Sequence, residues 1–139
     1  SYNYGIGFSL DTTPFHFLNL KYSFSWNENK SYIKKQASDF PSIRQISQNV
    51  GINIYPRKDI TINMNMEHQY NSAAGERYTT FADANVKWKN KNIDIELEIN
   101  NLFNTKQYIT AFFNDVNTSY YCYNLRPVSA LIKFRFKLK

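Results

Sequence analysis

Cysteine is almost absent from this chain. Cys122 is the only one, so no disulfide can form within it. Long apolar runs are missing too. Nothing approaches the roughly 18 consecutive apolar residues of a spanning helix, and mean hydropathy is -0.56. A membrane strand stays open, because it needs only about 9–11 residues and half of them can be polar. The first residues, Ser1-Tyr2-Asn3-Tyr4-Gly5, lack the basic start and apolar stretch of a signal peptide. They read as the middle of a strand, so the chain reads as cut from something longer. Catalytic chemistry has no foothold. No His/Cys/Asp/Glu cluster has metal-ligand spacing, Cys122 has no base near it in sequence, and no glycine-rich phosphate loop opens a helix. No enzymatic activity and no cofactor are expected. His16 and His68 fall on the apolar parity near strand ends and read as interface histidines rather than ligands.

What the chain has in abundance is two-residue alternation. In Ile93-Asp94-Ile95-Glu96-Leu97-Glu98-Ile99-Asn100 the odd positions are aliphatic and the even ones are acids or amide. In Leu131-Ile132-Lys133-Phe134-Arg135-Phe136-Lys137-Leu138, the residues Ile132, Phe134, Phe136 and Leu138 oppose Lys133, Arg135 and Lys137. Successive side chains of a strand point to opposite faces, so each segment is a strand with one apolar and one charged side. The best home for a series of such strands is an outer-membrane β-barrel wall, lipid outside and water inside. Aromatics make up 17% of the chain, including eleven Tyr and two Trp. Such rings settle at membrane–water interfaces. The net charge of +6 reads first as solvated lysine. Attraction to anionic head groups or to an anionic solute is the sharper alternative. The cations interleave with acids and form no basic stripe, so no nucleic-acid partner is expected.

The pattern predicts seven strands: about Tyr2–Leu10, Phe15–Trp26, Ile43–Tyr55, Ile60–Tyr70, Tyr78–Lys89, Ile93–Phe103 and a last one ending the chain. Short turns fall at Asp11–Pro14, Pro56–Asp59 and Asn90–Asn92. Longer loops fall at 27–42, 71–77 and 104–126. Short and long connections alternate, as periplasmic turns and extracellular loops do in transmembrane barrels. This orientation places the C-terminus in the periplasm. Trp26, Tyr70, Tyr78, Phe103 and Tyr2 fall at the outer strand ends, and Tyr55, Trp88, Phe15 and Phe136 near the inner ends, as two aromatic girdles require.

Two groups of residues are site candidates. The inward acids Asp94, Glu96 and Glu98 lie between strands carrying Lys87 and Lys89 on one side and Lys133, Arg135 and Lys137 on the other. They either bind a cationic solute or form a cross-strand ladder, and the ladder is the stronger reading. The last loop gathers Phe112, Phe113, Asp115, Tyr120, Tyr121, Tyr123 and Arg126. Aromatics with a few polar groups suit stacking on sugars or chelator rings. Packing of these rings on neighbouring loops is the alternative.

The stretch Ile99-Asn100-Asn101-Leu102-Phe103-Asn104-Thr105-Lys106-Gln107-Tyr108, then a long loop and a closing amphipathic strand, resembles the C-terminal end of TonB-dependent outer-membrane receptors. Asn124-Leu125-Arg126-Pro127 and the Phe-Arg-Phe ending resemble the Bacteroidota branch. The motif covers about a third of the chain. Lys139 departs from the aromatic last residue usual in that family. The resemblance implies a barrel of about 22 strands around a plug. This chain would be an all-β, antiparallel, up-and-down segment of about seven strands, residues 1–139 forming the C-terminal part, with the plug and earlier strands absent. An open sheet in lipid leaves unpaired backbone groups at several kcal/mol each, so the segment requires the remainder of its barrel. The resemblance further implies energy-coupled uptake of a scarce solute: an iron chelate, a cobalamin, a glycan or a peptide. Its implied partners are outer-membrane lipid and lipopolysaccharide, the plug, a TonB-type coupling protein acting through it, and a surface lipoprotein. Two rival readings remain. One is a passive porin or small complete barrel. The other is a soluble β-barrel with its apolar face inward around a small apolar ligand.

Overall fold

A computed structural model describes residues 2–30, 42–72, 77–113 and 118–137. Every regular element in them is a strand. The order is β1 (Tyr2–Phe15), β2 (Leu18–Lys30), β3 (Ile43–Arg57), β4 (Ile60–Asn71), β5 (Arg77–Lys89), β6 (Ile93–Asn100), β7 (Gln107–Phe113), β8 (Thr118–Asn124) and β9 (Ser129–Phe136). Seven strands form one antiparallel up-and-down sheet in the order β1-β2-β3-β4-β5-β6-β9. β7 and β8 form a separate hairpin between β6 and β9.

The register aligns the two faces across the whole sheet. Leu10, Tyr22, Val50, Met66 and Ala82 are directly paired in one row from β1 to β5. Leu97 lies between Val86 and Ile132 at the other edge. One face is therefore mostly apolar, interrupted by the row Gln48, His68 and Thr80 on β3 to β5, in which His68 Nδ1 lies 2.7 Å from Thr80 Oγ1. The opposite face carries Ser9, Ser23, Asn49, Asn65 and Asp83 in one region and Lys87, Glu96 and Lys133 in another. A shift of one residue in any strand would put polar or charged side chains among the aliphatics, which is what holds this register.

Four boundaries differ from the sequence reading. β1 runs through Pro14 to Phe15, and the first turn is His16-Phe17 rather than Asp11–Pro14. His16 thus sits in a turn, not on a strand face. The register slips between Thr12 and Phe15, so Pro14 lies in a bulge on the sheet's first strand. Proline cannot donate to the ladder, and an edge or a bulge is where a sheet accepts it. β3 repeats the device: it continues past Pro56 to Arg57, with a slip between Ile54 and Arg57. β2 extends to Lys30, shortening the connection expected at 27–42, and residues 31–41 lie outside the described residues. β6 stops at Asn100 instead of Phe103, because Asn101 and Asn104 take positive φ values of 56° and 51°. Asparagine enters this left-handed region more readily than other residues with a side chain. Finally, the connection expected as loop 104–126 contains the β7–β8 hairpin. Its strands are rich in β-branched and aromatic residues but carry them on both faces, so the alternation signal is missing.

The sheet is a single layer. Among the described residues only Ile43 and Ala82 are buried apolar side chains. Ile6 and Phe8 on β1 are 65% and 57% exposed, and Phe134 and Phe136 on β9 are 59% and 70% exposed. Burying a side chain of this size fully is worth roughly 1.5–3 kcal/mol. An apolar face this wide, left in water, forfeits that many times over. β1 and β9 each have one paired neighbour, so both sheet edges are open.

Candidate functional site

A charged ladder and a mostly neutral region occupy different parts of the polar face. On β5, β6 and β9 the register places Glu96 between Lys87 and Lys133, and Asp94 between Lys89 and Arg135. Lys87 Nζ lies 3.0 Å from Glu96 Oε1. Lys133 Nζ reaches diagonally to Glu98 at 2.5 Å, and Lys137 Nζ to Asp94 at 2.7 Å. Asn85 Nδ2 adds a 2.6 Å donation to Glu96 Oε1. Arg135 makes no ion pair among the described residues. All of these side chains are partly solvated, so each pair contributes at most about 1 kcal/mol. The arrangement is a cross-strand ladder with an excess of cations.

From β1 to β4 the same face is mostly amide and hydroxyl, with a Lys21–Asp11 ion pair at 3.4 Å and Glu67 among them. Asn19 Nδ2 donates to Asp11 Oδ1 at 2.8 Å and Asn53 Nδ2 to Asn19 Oδ1 at 3.0 Å. Asn49 Nδ2 donates to Ser23 Oγ at 3.3 Å. Gln69 donates to Glu67. A groove of about 510 Å3 crosses this region, lined by residues of all five strands from β1 to β5. A groove of about 370 Å3 lies over the ladder. Both grooves open on the polar face, so that face is the concave side of the sheet.

The β7–β8 hairpin stands at the long-connection end. Asn101 ties down both of its feet. Its side-chain Nδ2 donates to Thr105 O at 2.9 Å and to Arg126 O at 2.8 Å, while Oδ1 accepts from Thr105 N at 2.8 Å. Its own N–H donates to Asp83 Oδ1 at 2.8 Å. Asn101 is 8% exposed, so this is a buried and satisfied polar hub. Leu102 N donates to Ala82 O at 2.8 Å, and the Thr105 hydroxyl donates to Thr80 O. The hairpin is thereby leaned against the polar face of β5, where the Tyr108 ring meets Phe81 with centroids 5.6 Å apart. Tyr108 also faces Tyr123 at 6.2 Å, and Tyr123 faces Tyr121 at 6.4 Å and 11°. The result is a row of four rings from the sheet wall to exposed Tyr121 and Tyr123.

Of the loop residues singled out from sequence, Tyr121 and Tyr123 join this row. Arg126 is exposed and takes part through its backbone oxygen. Asp115 and the side chains of Phe112, Phe113 and Tyr120 lie outside the described residues. Cys122 is an exposed free thiol on β8. The sequence reading missed Phe81, Tyr108 as a ring contact, and Asn101. Phe81 carries a signal in hindsight: it is an aromatic on the polar parity of β5. Asn101 carries none beyond its place in the stretch 99–108.

Comparison with protein-family models, with curated proteins and with solved structures returned no match. The resemblance to TonB-dependent receptors rests on its motif, residues 99–108, and on the strand rhythm.

Proposed function

We propose that this chain is a wall segment of an outer-membrane β-barrel receptor that takes up a scarce solute by energy coupling. The observation that carries the reading is the uncovered apolar face, continuous from Ile6 on β1 to Phe136 on β9, on a sheet whose edges are both open. Lipid covers such a face, and further strands pair with such edges.

Three more observations support the orientation. Trp26, Ile46, Tyr70 and Tyr78 form one row at the long-connection end of the apolar face. Beyond that row, on the same face, Glu28 pairs with Arg44 at 3.6 Å. At the short-turn end, Trp88 points its indole N–H to Asp59 Oδ2 at 3.0 Å. A mostly apolar band bounded by aromatic rings and then by charge matches the interface pattern of a membrane wall, and the polar row Gln48, His68 and Thr80 lies next to its outer ring row. From Leu18 to Trp26 the band runs roughly 27 Å along β2, close to the ~25 Å of an outer-membrane barrel before tilt is taken into account. The inward polar face favours this reading over a soluble barrel, in which the apolar face is the inner one.

The deciding experiment is the intact mass of the protein extracted from native membranes. A mass several times 16.4 kDa, in an outer-membrane fraction, is the expected result. A mass near 16.4 kDa with no co-purifying chains removes the transport reading, since seven strands do not close a barrel of the required width.

A further inference from the structure

Between the hairpin and the sheet lies a recess of about 180 Å3. Its floor is the polar face of β2, β3 and β4 at the long-connection end: Ser25 and Asn27, Gln45 and Ser47, Gln69 and Asn71. Tyr108 and Ile109 of β7 line it from the hairpin side. Among the described residues, no charged side chain lines it. Resting on the receptor reading above, we infer that this recess is the entry subsite for an uncharged, hydroxyl-rich solute, a carbohydrate chain, with the Tyr121–Tyr123–Tyr108 row as its outer platform.

Three physical arguments select that class. A charged chelate entering the recess loses water and meets no opposite charge, which is costly. The charged ladder is elsewhere, on β5, β6 and β9, and Asp11, Lys21, Glu67 and Asp83 line the adjoining groove rather than the recess. Amides and hydroxyls both donate and accept, which is the pairing that vicinal hydroxyl groups need. The ring row adds flat apolar faces next to those polar groups, the combination that holds a ring-shaped, amphipathic unit. An extended peptide fits less well. Peptides are usually captured along a sheet edge through main-chain groups, and here the floor is a sheet face whose backbone is already paired.

The recess is smaller than the 300–1,000 Å3 typical of whole-ligand pockets. It therefore holds one ring of a longer chain. The rest extends outward over Tyr121 and Tyr123, which are 47% and 51% exposed, and inward along the groove that passes Asn49, Asn65 and Phe81. Asn101 positions the whole device: it holds both feet of the hairpin and so sets the height of Tyr108 above the floor.

The test uses the full-length receptor in detergent. Calorimetric titrations are run with maltohexaose, cellohexaose, xylohexaose and chitohexaose, with ferric citrate, and with hexaalanine. The expected result is binding of at least one neutral oligosaccharide. Gln69→Ala and Tyr108→Ala each weaken it about tenfold, the scale of losing one buried hydrogen bond or one ring platform. Tyr108→Phe, which keeps the ring, stays within about threefold of the parent. Heat-modifiable gel mobility identifies variants that still fold. Binding of ferric citrate or hexaalanine in place of every sugar overturns the inference and leaves the receptor reading standing. So does sugar binding that neither variant weakens. Silence across all six probes overturns the inference as well. A small intact mass, by contrast, removes the receptor reading whatever the titrations show.

Discussion

Asn101 bears the most weight of any single residue here. Four hydrogen bonds converge on it, from Thr105, to Thr105 and Arg126, and to Asp83. Replacing it with alanine leaves the Thr105 N–H and the Thr105 and Arg126 carbonyls unpaired near a buried position, and puts a residue with no local hydrogen bond at φ 56°. Asn101→Ala should cost about 2–4 kcal/mol, each buried unpaired group accounting for roughly 1–3 kcal/mol of gross penalty. Limited proteolysis between residues 105 and 126, compared with cleavage elsewhere, checks this: the hairpin should be cut first. The same local reasoning applies to Leu97 and Glu96, adjacent residues on opposite faces. Leu97→Arg should cost roughly 2–4 kcal/mol at a bilayer midplane, as arginine does on a lipid face. Glu96→Arg should cost far less, because its loss is a solvated pair with Lys87. Denaturant titration of the protein folded in lipid vesicles reads both, and equal costs would defeat the face assignment.

At the scale of elements, β6 sits between β5 and β9 as an acidic strand between basic ones. Exchanging Lys87 and Glu96 should restore most of what either single reversal loses. The coupling energy should be about 0–1 kcal/mol and should shrink in high salt, as for exposed pairs. A double-mutant cycle across a salt series measures it. The elements were legible where alternation is strict. Strands β2 to β6 are recognisable from sequence because each carries a run of at least three apolar residues on one parity. β7 and β8 were not, because Tyr108-Ile109 and Tyr121-Cys122-Tyr123 break the alternation with apolar residues at consecutive positions. The ends of β1 and β3 were misjudged for one shared reason. Pro14 and Pro56 look like turn residues, yet each is absorbed in a bulge two residues before its turn.

For the molecule as a whole, the question is what covers the apolar face. Trp26 and Trp88, the only tryptophans of the chain, lie on it near opposite ends of the sheet. In vesicles of brominated lipid, bromine near the head groups should quench both more strongly than bromine at the acyl-chain ends. Comparing the parent with Trp26→Phe and Trp88→Phe isolates each contribution. Equal quenching by deep and shallow bromine for both would contradict the girdle. Quenching of neither would place the face against protein.

The alternation of residue types by itself determined that the chain forms amphipathic strands, which residues share a face, and which connections are short. These are properties of a period of two and of turn chemistry, and they need no partner to be read. Pairing acids with bases was also readable, since neighbouring strands of a meander bring their charges opposite each other. Only the tertiary structure decided that the polar face is the concave one, since alternation is the same whichever way a sheet curls. It alone placed Phe81 and Tyr108 in contact, residues far apart in sequence on elements of different sheets. It alone closed the neutral recess, because that space exists only where Asn101 folds the hairpin back over the face of β2 to β4.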